Sequence, residues 1–455
     1  MAAVLNSPTS GPESVVPYTL FTKNERRWIV AMIALAGWFS TLSSFIYYPA
    51  IPVIADDLGA SIGMIDLTVT SYLVVSAIAP AVVGDAADTF GRRPLVRGFP
   101  GRFSVAYGVI ADISTPAERG AFVSALSFGI TTAPSLGPVL GGAFAFGPCW
   151  RWIFWFLTIA SGFCLLAMML ALPETHRAYI GNGGTRPARL YRPVAPRIMR
   201  PWKSDRGPKA PPSPRKPRKL PNPIKSLRIL SRKDVAVSIM PGSFLYTVYC
   251  CIHASLATTF MDIYHLNKWQ AGLIYLPFGI GAIISTLVSS KWIDHDYRVV
   301  AKAHGLPINK VSGDNLLHFP IEEARIRSAF LPTFASFVSV LAYGWLVAKH
   351  THLAAPLACL FVAGFSIQTC FNINNTLLVD INQDAPATAQ ASSNIVRCIL
   401  SAALVAALEK MIDQMGFGWT FTLMSGFCLI AGFFYLIELR YGRGWRVARH
   451  GVTLD

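Results

Sequence analysis

This chain predicts an all-α polytopic membrane protein, and three features point there. Of its 455 residues, 53% are hydrophobic and 14% charged, with a mean hydropathy of +0.44. A soluble domain carries about 25% charged residues. The charges fall between ten apolar runs of about 20 residues, the length that crosses a hydrocarbon core as a helix. These runs are continuous rather than alternating, which argues against a membrane β-barrel. The net charge of +16 gathers in loops, so it reads as cytoplasmic surface beside anionic lipid and not as a nucleic-acid site.

Taken in order, the polar tail 1–23 has no cleavable apolar core, and the first span serves as its own insertion signal. Spans follow at Trp28–Ile51, Met64–Val83, Ala121–Phe146 and Trp152–Leu172. Six more lie at Val235–Phe260, Ala271–Ser290, Ala329–Ala348, Leu353–Thr376, Ala391–Leu408 and Trp419–Ile437. One apolar piece, Phe103–Ile113, is about half a crossing. Between the two groups, residues 173–234 hold 17 Lys or Arg against three acids and are rich in Pro. That composition predicts a disordered basic cytoplasmic linker, with Ser204, Ser213 and Ser226 as possible phosphorylation positions. The resulting domains are a tail (1–23), an N-terminal bundle (24–172), the linker (173–234), a C-terminal bundle (235–438) and a tail (439–455).

Lys and Arg fix the orientation. Arg26, Arg27, Arg92, Arg93, Arg119, Arg298, Arg325 and Arg440 fall on one side, while Arg151, Lys268, Lys349 and Lys410 fall on the other. Both termini are therefore cytoplasmic. A lone crossing at Leu95–Ile113 would invert every later span, and Arg97, Pro100 and Arg102 within it oppose such a crossing.

Two motifs carry chemistry. In Gly84–Arg93, Gly84 and Gly91 allow a tight turn and close helix approach, and Asp88 has Arg92 and Arg93 within reach. In Ala133–Gly142, Pro138 kinks a span while Gly137, Gly141 and Gly142 form a small-residue face. Polar groups inside spans are functional candidates because lipid makes them costly. Arg397 needs a partner, and Asp88 and Asp380 are the candidates; snorkelling to the interface is the alternative. His253 titrates in a range suited to proton transfer, although a lone helical His is more often a packing residue. Asn372 and Asn374 either face a cavity or bond between helices. Tyr47, Tyr48, Tyr246, Tyr249 and Phe278 offer aromatic walls for a cation, or simply pack. The eight Cys show no metal spacing and read as packing residues; no cofactor or metal site is expected. No phosphate loop or hydrolase elbow is present, so an enzyme is not expected.

The string Gly84–Arg93 resembles the signature loop of the major facilitator superfamily, departing from it at Ala86 and Thr89. Pro138 with Gly141 and Gly142 is similar to the fifth-helix motif of drug:proton antiporters. Phe39–Ala50, Tyr107–Ile113, Thr115–Gly120, Asn375–Asp380, Pro386–Ala389 and Asn394–Cys398 look like the fungal quinidine-resistance type. The resemblance implies two helix bundles and a latch built from the signature loop. It also implies proton-coupled export of small amphipathic or cationic drugs, toxins or metabolites. The partners implied are substrate, protons and lipid; a monomer in the plasma membrane is expected, with the vacuolar membrane as alternative. Against that pattern the N-terminal bundle lacks its third helix and half of its fourth, roughly 35–40 residues at 1.5 Å each. Two explanations stand: coding sequence removed as an intron, or a shortened copy that acts as a non-transporting remnant or sensor.

Overall fold

The computed structural model describes residues 17–47, 102–146, 150–185, 228–306 and 319–449, together with 50, 54, 57–59, 71, 75–79, 82–83 and 86–94. Most of the second expected span, Gly84 and the junction at 95–101 lie outside the described residues, as do Tyr48 and the three linker serines.

The N-terminal half is built from α1 (Lys23–Phe45), α2 (Arg102–Ile113), α3 (Arg119–Phe146), α4 (Arg151–Ala171) and the short α5 (Arg177–Ile180). Helix α1 starts at a capping box, in which Glu25 N donates to Thr22 Oγ1 and Thr22 N donates to Glu25 Oε2. It packs closely on α3, where a Cβ on Gly129 would lie 2.9 Å from that of Ala34. Helix α2 is the half-length piece expected from sequence; it is buried from Val105 to Ile113 except at Asp112, which is half-buried. Helix α4 has the inverse pattern of a soluble helix, with Trp155 61% and Phe163 73% exposed, as a lipid-facing surface requires.

The C-terminal half comprises α6 (Lys233–Tyr264), α7 (Lys268–Leu273), α8 (Leu276–Ala303), α9 (Ile321–Ile326), α10 (Phe330–Ala348), α11 (Ala354–Ile381) and α12 (Pro386–Arg449). Gly281 of α8 and Gly364 of α11 face each other's helix so closely that a Cβ on either would strike backbone. Helix α12 holds both of the last expected spans, broken only at Gly416 (φ 79°, ψ 161°). Among the described residues, eight helices are long and apolar enough to cross a membrane, counting α12 once.

Two boundaries differ from expectation. Residues 173–185, assigned to the linker, fold back onto the N-terminal half. Glu174 is fully buried and Ile180 is 1% exposed, packed with Phe21 in the N-terminal core. The basic composition of the stretch as a whole masked this short apolar and hydrogen-bonded start. The tail expected at 439–455 continues as helix to Arg449, because Arg446 bonds Glu322 (2.7 Å) and Arg449 bonds Asp234 (2.8 Å).

Candidate functional site

The two halves are fastened together at one end by two charge clusters. The first grows from the signature loop. Gly91 takes φ 97°, a left-handed conformation that glycine adopts without strain, and so turns the chain after residues 86–90. The turn aims the backbone N–H groups of Arg92 and Arg93 at Glu174, which accepts them at 2.9 and 3.1 Å. Glu174 also accepts from the N–H groups of Thr175 and His176. Burial pushes its carboxyl pKa up, and the N–H groups of His176, Arg92 and Arg93 oppose that rise. The Arg92 guanidinium reaches Asp88 at 2.5 Å and Asp112 at 3.0 Å, lying over Gly108, where a Cβ would be 2.7 Å from Arg92 Cζ. Arg93 donates to the Met169 carbonyl at 2.8 Å.

Asp88 then spans the halves. Its Oδ2 accepts from the Thr388 N–H (3.0 Å) and hydroxyl (2.7 Å), at the first turn of α12. A carboxylate is favoured there by the free N–H groups of a helix start. Burial works to raise the Asp88 pKa, but Arg92 and Thr388 together outweigh it, and the net direction is down.

The second cluster is Asp380 of α11 between Arg119 of α3 and Arg325 of α9, all fully buried. Arg325 Nε donates to Asp380 Oδ2 at 2.8 Å, and its Nη2 donates to the Pro116 carbonyl at 2.7 Å. Arg119 pairs with the other Asp380 oxygen. One carboxylate thus holds an arginine from each half.

Arg397 is not the partner of Asp88 or Asp380, contrary to the expectation. It lies deeper, donating to Asn394 Oδ1 (2.7 Å) with its guanidinium 4.9 Å from the Tyr246 ring centroid. Its distance along α12 from Thr388 is nine residues, about 13 Å, beyond the reach of a carboxylate held at the helix start. Tyr246 stacks on Tyr249 (5.7 Å). His253, one turn further out, packs among Tyr249, Phe278 and Tyr275, and Phe45 of the N-terminal half lies 6.2 Å away. Its Nδ1 meets the Tyr249 carbonyl, while Nε2 has no hydrogen-bond partner among the described residues. Asn372 bonds between helices, to Ser289 of α8 at 2.7 Å. Asn374 lies against Gly242 of α6, its Oδ1 without a partner among the described residues. Gly137, Pro138, Gly141 and Gly142 are buried on α3, with Gly137 against Phe45 and Ile46. Tyr47 ends the first span, partly buried beside Leu42 and Ile46.

Sequence reasoning assigned no site role to Glu174, Asp112, Arg119, Arg325 and Thr388, nor to Tyr107, whose hydroxyl accepts from Asn375 of the other half at 3.0 Å. The strings Tyr107–Ile113, Thr115–Gly120 and Pro386–Ala389 held four of these six, but without their partners.

The sequence model of the Major Facilitator Superfamily matches residues 33–100 and 98–406. Citrate exporter 1 of Aspergillus niger is 31% identical over 470 aligned positions, covering 95% of this chain and 89% of that protein. Quinidine resistance protein 1 of Saccharomyces cerevisiae is 27% identical, covering 93% of this chain and 85% of its own length. The solved structure of the proton:xylose symporter XylE superposes with a TM-score of 0.62 at 11% identity, covering 92% of this chain and 97% of that one.

Proposed function

This chain belongs to the major facilitator superfamily, and from that premise we propose that it is a proton-coupled secondary exporter working by alternating access between its two halves. The observation that carries the reading is the removable closure at the cytoplasmic end, made of the Asp88–Thr388 bonds and the Asp380 pairs with Arg119 and Arg325. A carrier must break such a contact once per cycle and remake it. The substrates are small amphipathic or cationic compounds, recognised by Tyr246, Tyr249 and Phe278, and the protein acts as a monomer at the plasma membrane. The similarity to quinidine resistance protein 1 supports this. Expression in a host cell is expected to lower accumulation of a cationic drug, and a protonophore is expected to abolish the difference. Unchanged accumulation across a broad panel would sink the proposal.

Arg397 beside Tyr246 and Asn394, together with the similarity to a citrate exporter, favours a second reading in which the substrate is an organic anion. Competition by di- and tricarboxylates against drug efflux separates the two.

We read the family's helix and a half as absent between Leu95 and Val105. Two findings support this. The two family matches meet at residues 98–100, and the 470 aligned positions exceed the 455 residues of the chain. Sequencing the mature transcript across these codons tests it: an uninterrupted junction upholds the absence, and 35–40 further codons overturn it.

A further inference from the structure

A groove with a volume of about 980 Å³ lies between α1 and α3, with Asp294 and Arg298 of α8 beside its cytoplasmic mouth. Neither gate cluster lines it. Its walls come from one face of each helix, and its character changes along its length. At the cytoplasmic end four cations stand around it: Lys23, Arg26 and Arg27 from the first turn of α1, and Arg298 from α8. Lys23, Arg27 and Arg298 are exposed, and Arg26 is half-buried. Two carboxylates are present as well. Glu118 accepts from Arg26 Nη1 at 3.1 Å, and Asp294 lies at the α8 wall with its Oδ1 unpartnered among the described residues. The Arg26 Nε is buried and likewise without a hydrogen-bond partner there. Cations thus exceed acids by two at the mouth.

Away from the mouth the groove is apolar, with Leu35, Trp38 and Phe128 along its sides, while the Phe122 ring lies 5.4 Å from the Arg26 guanidinium. Leu35 is 47% and Phe128 42% exposed, and both face where lipid would lie. From Lys23 to Trp38 is fifteen residues of helix, about 22 Å. Half of a hydrocarbon core is about 15 Å. The groove therefore runs from the cytoplasmic membrane surface past mid-depth, cationic where phosphates sit and greasy where acyl chains sit.

We propose that this groove binds one anionic glycerophospholipid of the cytoplasmic leaflet, its phosphate held by Lys23, Arg26, Arg27 and Arg298 and an acyl chain laid along Leu35, Trp38 and Phe128. A zwitterionic lipid fits the apolar half equally well but leaves the excess of cations unmatched. The headgroup competes with Glu118 for Arg26, and Glu118 directly precedes Arg119 of the inter-half ion cluster. Occupancy thus bears on the stiffness of the cytoplasmic closure. The inference depends on the chain lying in a bilayer and not on what it transports.

The test uses full-length protein in mild detergent, with thermal unfolding followed during titration with phosphatidylserine, phosphatidylcholine or inorganic phosphate. Phosphatidylserine is expected to raise the Tm, while the other two leave it unchanged. In K23Q/R27Q/R298Q, which keeps the Arg26–Glu118 pair, the concentration needed is expected to rise roughly 100-fold, from about a fivefold loss per charge. A second variant, A125W, fills the apolar half without changing charge and is expected to blunt the response as well. Three results overturn the inference. They are an equal response to phosphatidylcholine, a full response to phosphate alone, or a response in both variants indistinguishable from that of the parent.

Discussion

Replacing Asp380 by Asn leaves Arg119 and Arg325 facing each other with no carboxylate between them. Both guanidinium groups are fully buried, so water cannot take over the lost role in the closed arrangement. Removing one partner from a buried ion pair costs about 3–5 kcal/mol, most of it the cost of the stranded charge. Here two charges are stranded, but Arg325 keeps its bond to the Pro116 carbonyl and Arg119 keeps that to Ser114, so the lower half of the range is expected. In the open state that the proposed transport cycle requires, water reaches both arginines and the cost disappears. The penalty therefore falls on the closed state and shifts the equilibrium toward the open one by roughly 100- to 1,000-fold, at 1.4 kcal/mol per decade. Hydrogen–deuterium exchange reads this directly. Amides of residues 114–122, 321–327 and 380–392 are expected to lose protection in D380N, while α10 keeps its own. The companion R119M/D380L/R325M removes the charges together and is expected to regain protection, because an apolar trio of similar volume has no stranded charge. Unchanged exchange in D380N, or a triple variant as exposed as the single one, would refute the reasoning.

Three other expectations follow the same logic. The Asp88–Thr388 contact is a charged hydrogen bond across the halves, so D88N and T388V are expected to be coupled by about 1.5–3 kcal/mol in a double-mutant cycle on the same exchange readout; additivity would show that the contact carries nothing. Because the Asp88 pKa is lowered from 3.8, its stabilising contribution is complete above that value and is lost as the pH falls through the depressed pKa. The Asp88 contribution to closure is thus expected to stay flat from pH 8 to 5 and to weaken only below about pH 4, read as the difference between parent and D88N; a difference that changes near neutrality would show that Asp88 is not held in this way. Gly108→Ala drives a methyl into the Arg92 guanidinium, which Asp88 and Asp112 hold in place, and is expected to lower stability by about 1–3 kcal/mol in thermal unfolding.

The sequence made the helices legible because span length and loop charge are local properties. The signature loop was legible too, since Asp88 and Arg92 are one turn apart and the glycine between them dictates the turn. The rest of the charge clusters between the halves was not. Arg119 and Asp380 are separated by 261 residues, and each looked like one more charge at the cytoplasmic surface. Glu174 sits where composition turns basic and Pro-rich, so an average over the stretch hid a carboxylate that gathers four backbone N–H groups. Arg397 misled in the opposite direction. Its depth in a span called for a partner, but a spacing of nine residues from Thr388 along one helix separates it from the acids at the end.

The long reach of the ion pairs has a consequence for how the protein is made. Arg119 leaves the ribosome in the first third of synthesis, and its carboxylate emerges 261 residues later. At 5–20 residues per second that interval is about 13–50 s. Throughout it the newly inserted N-terminal helices hold Arg119 without its carboxylate, while Asp88 keeps Arg92 but lacks the Thr388 donors. Any stall or truncation before residue 380 leaves behind a bundle that quality control can recognise by its orphaned charge.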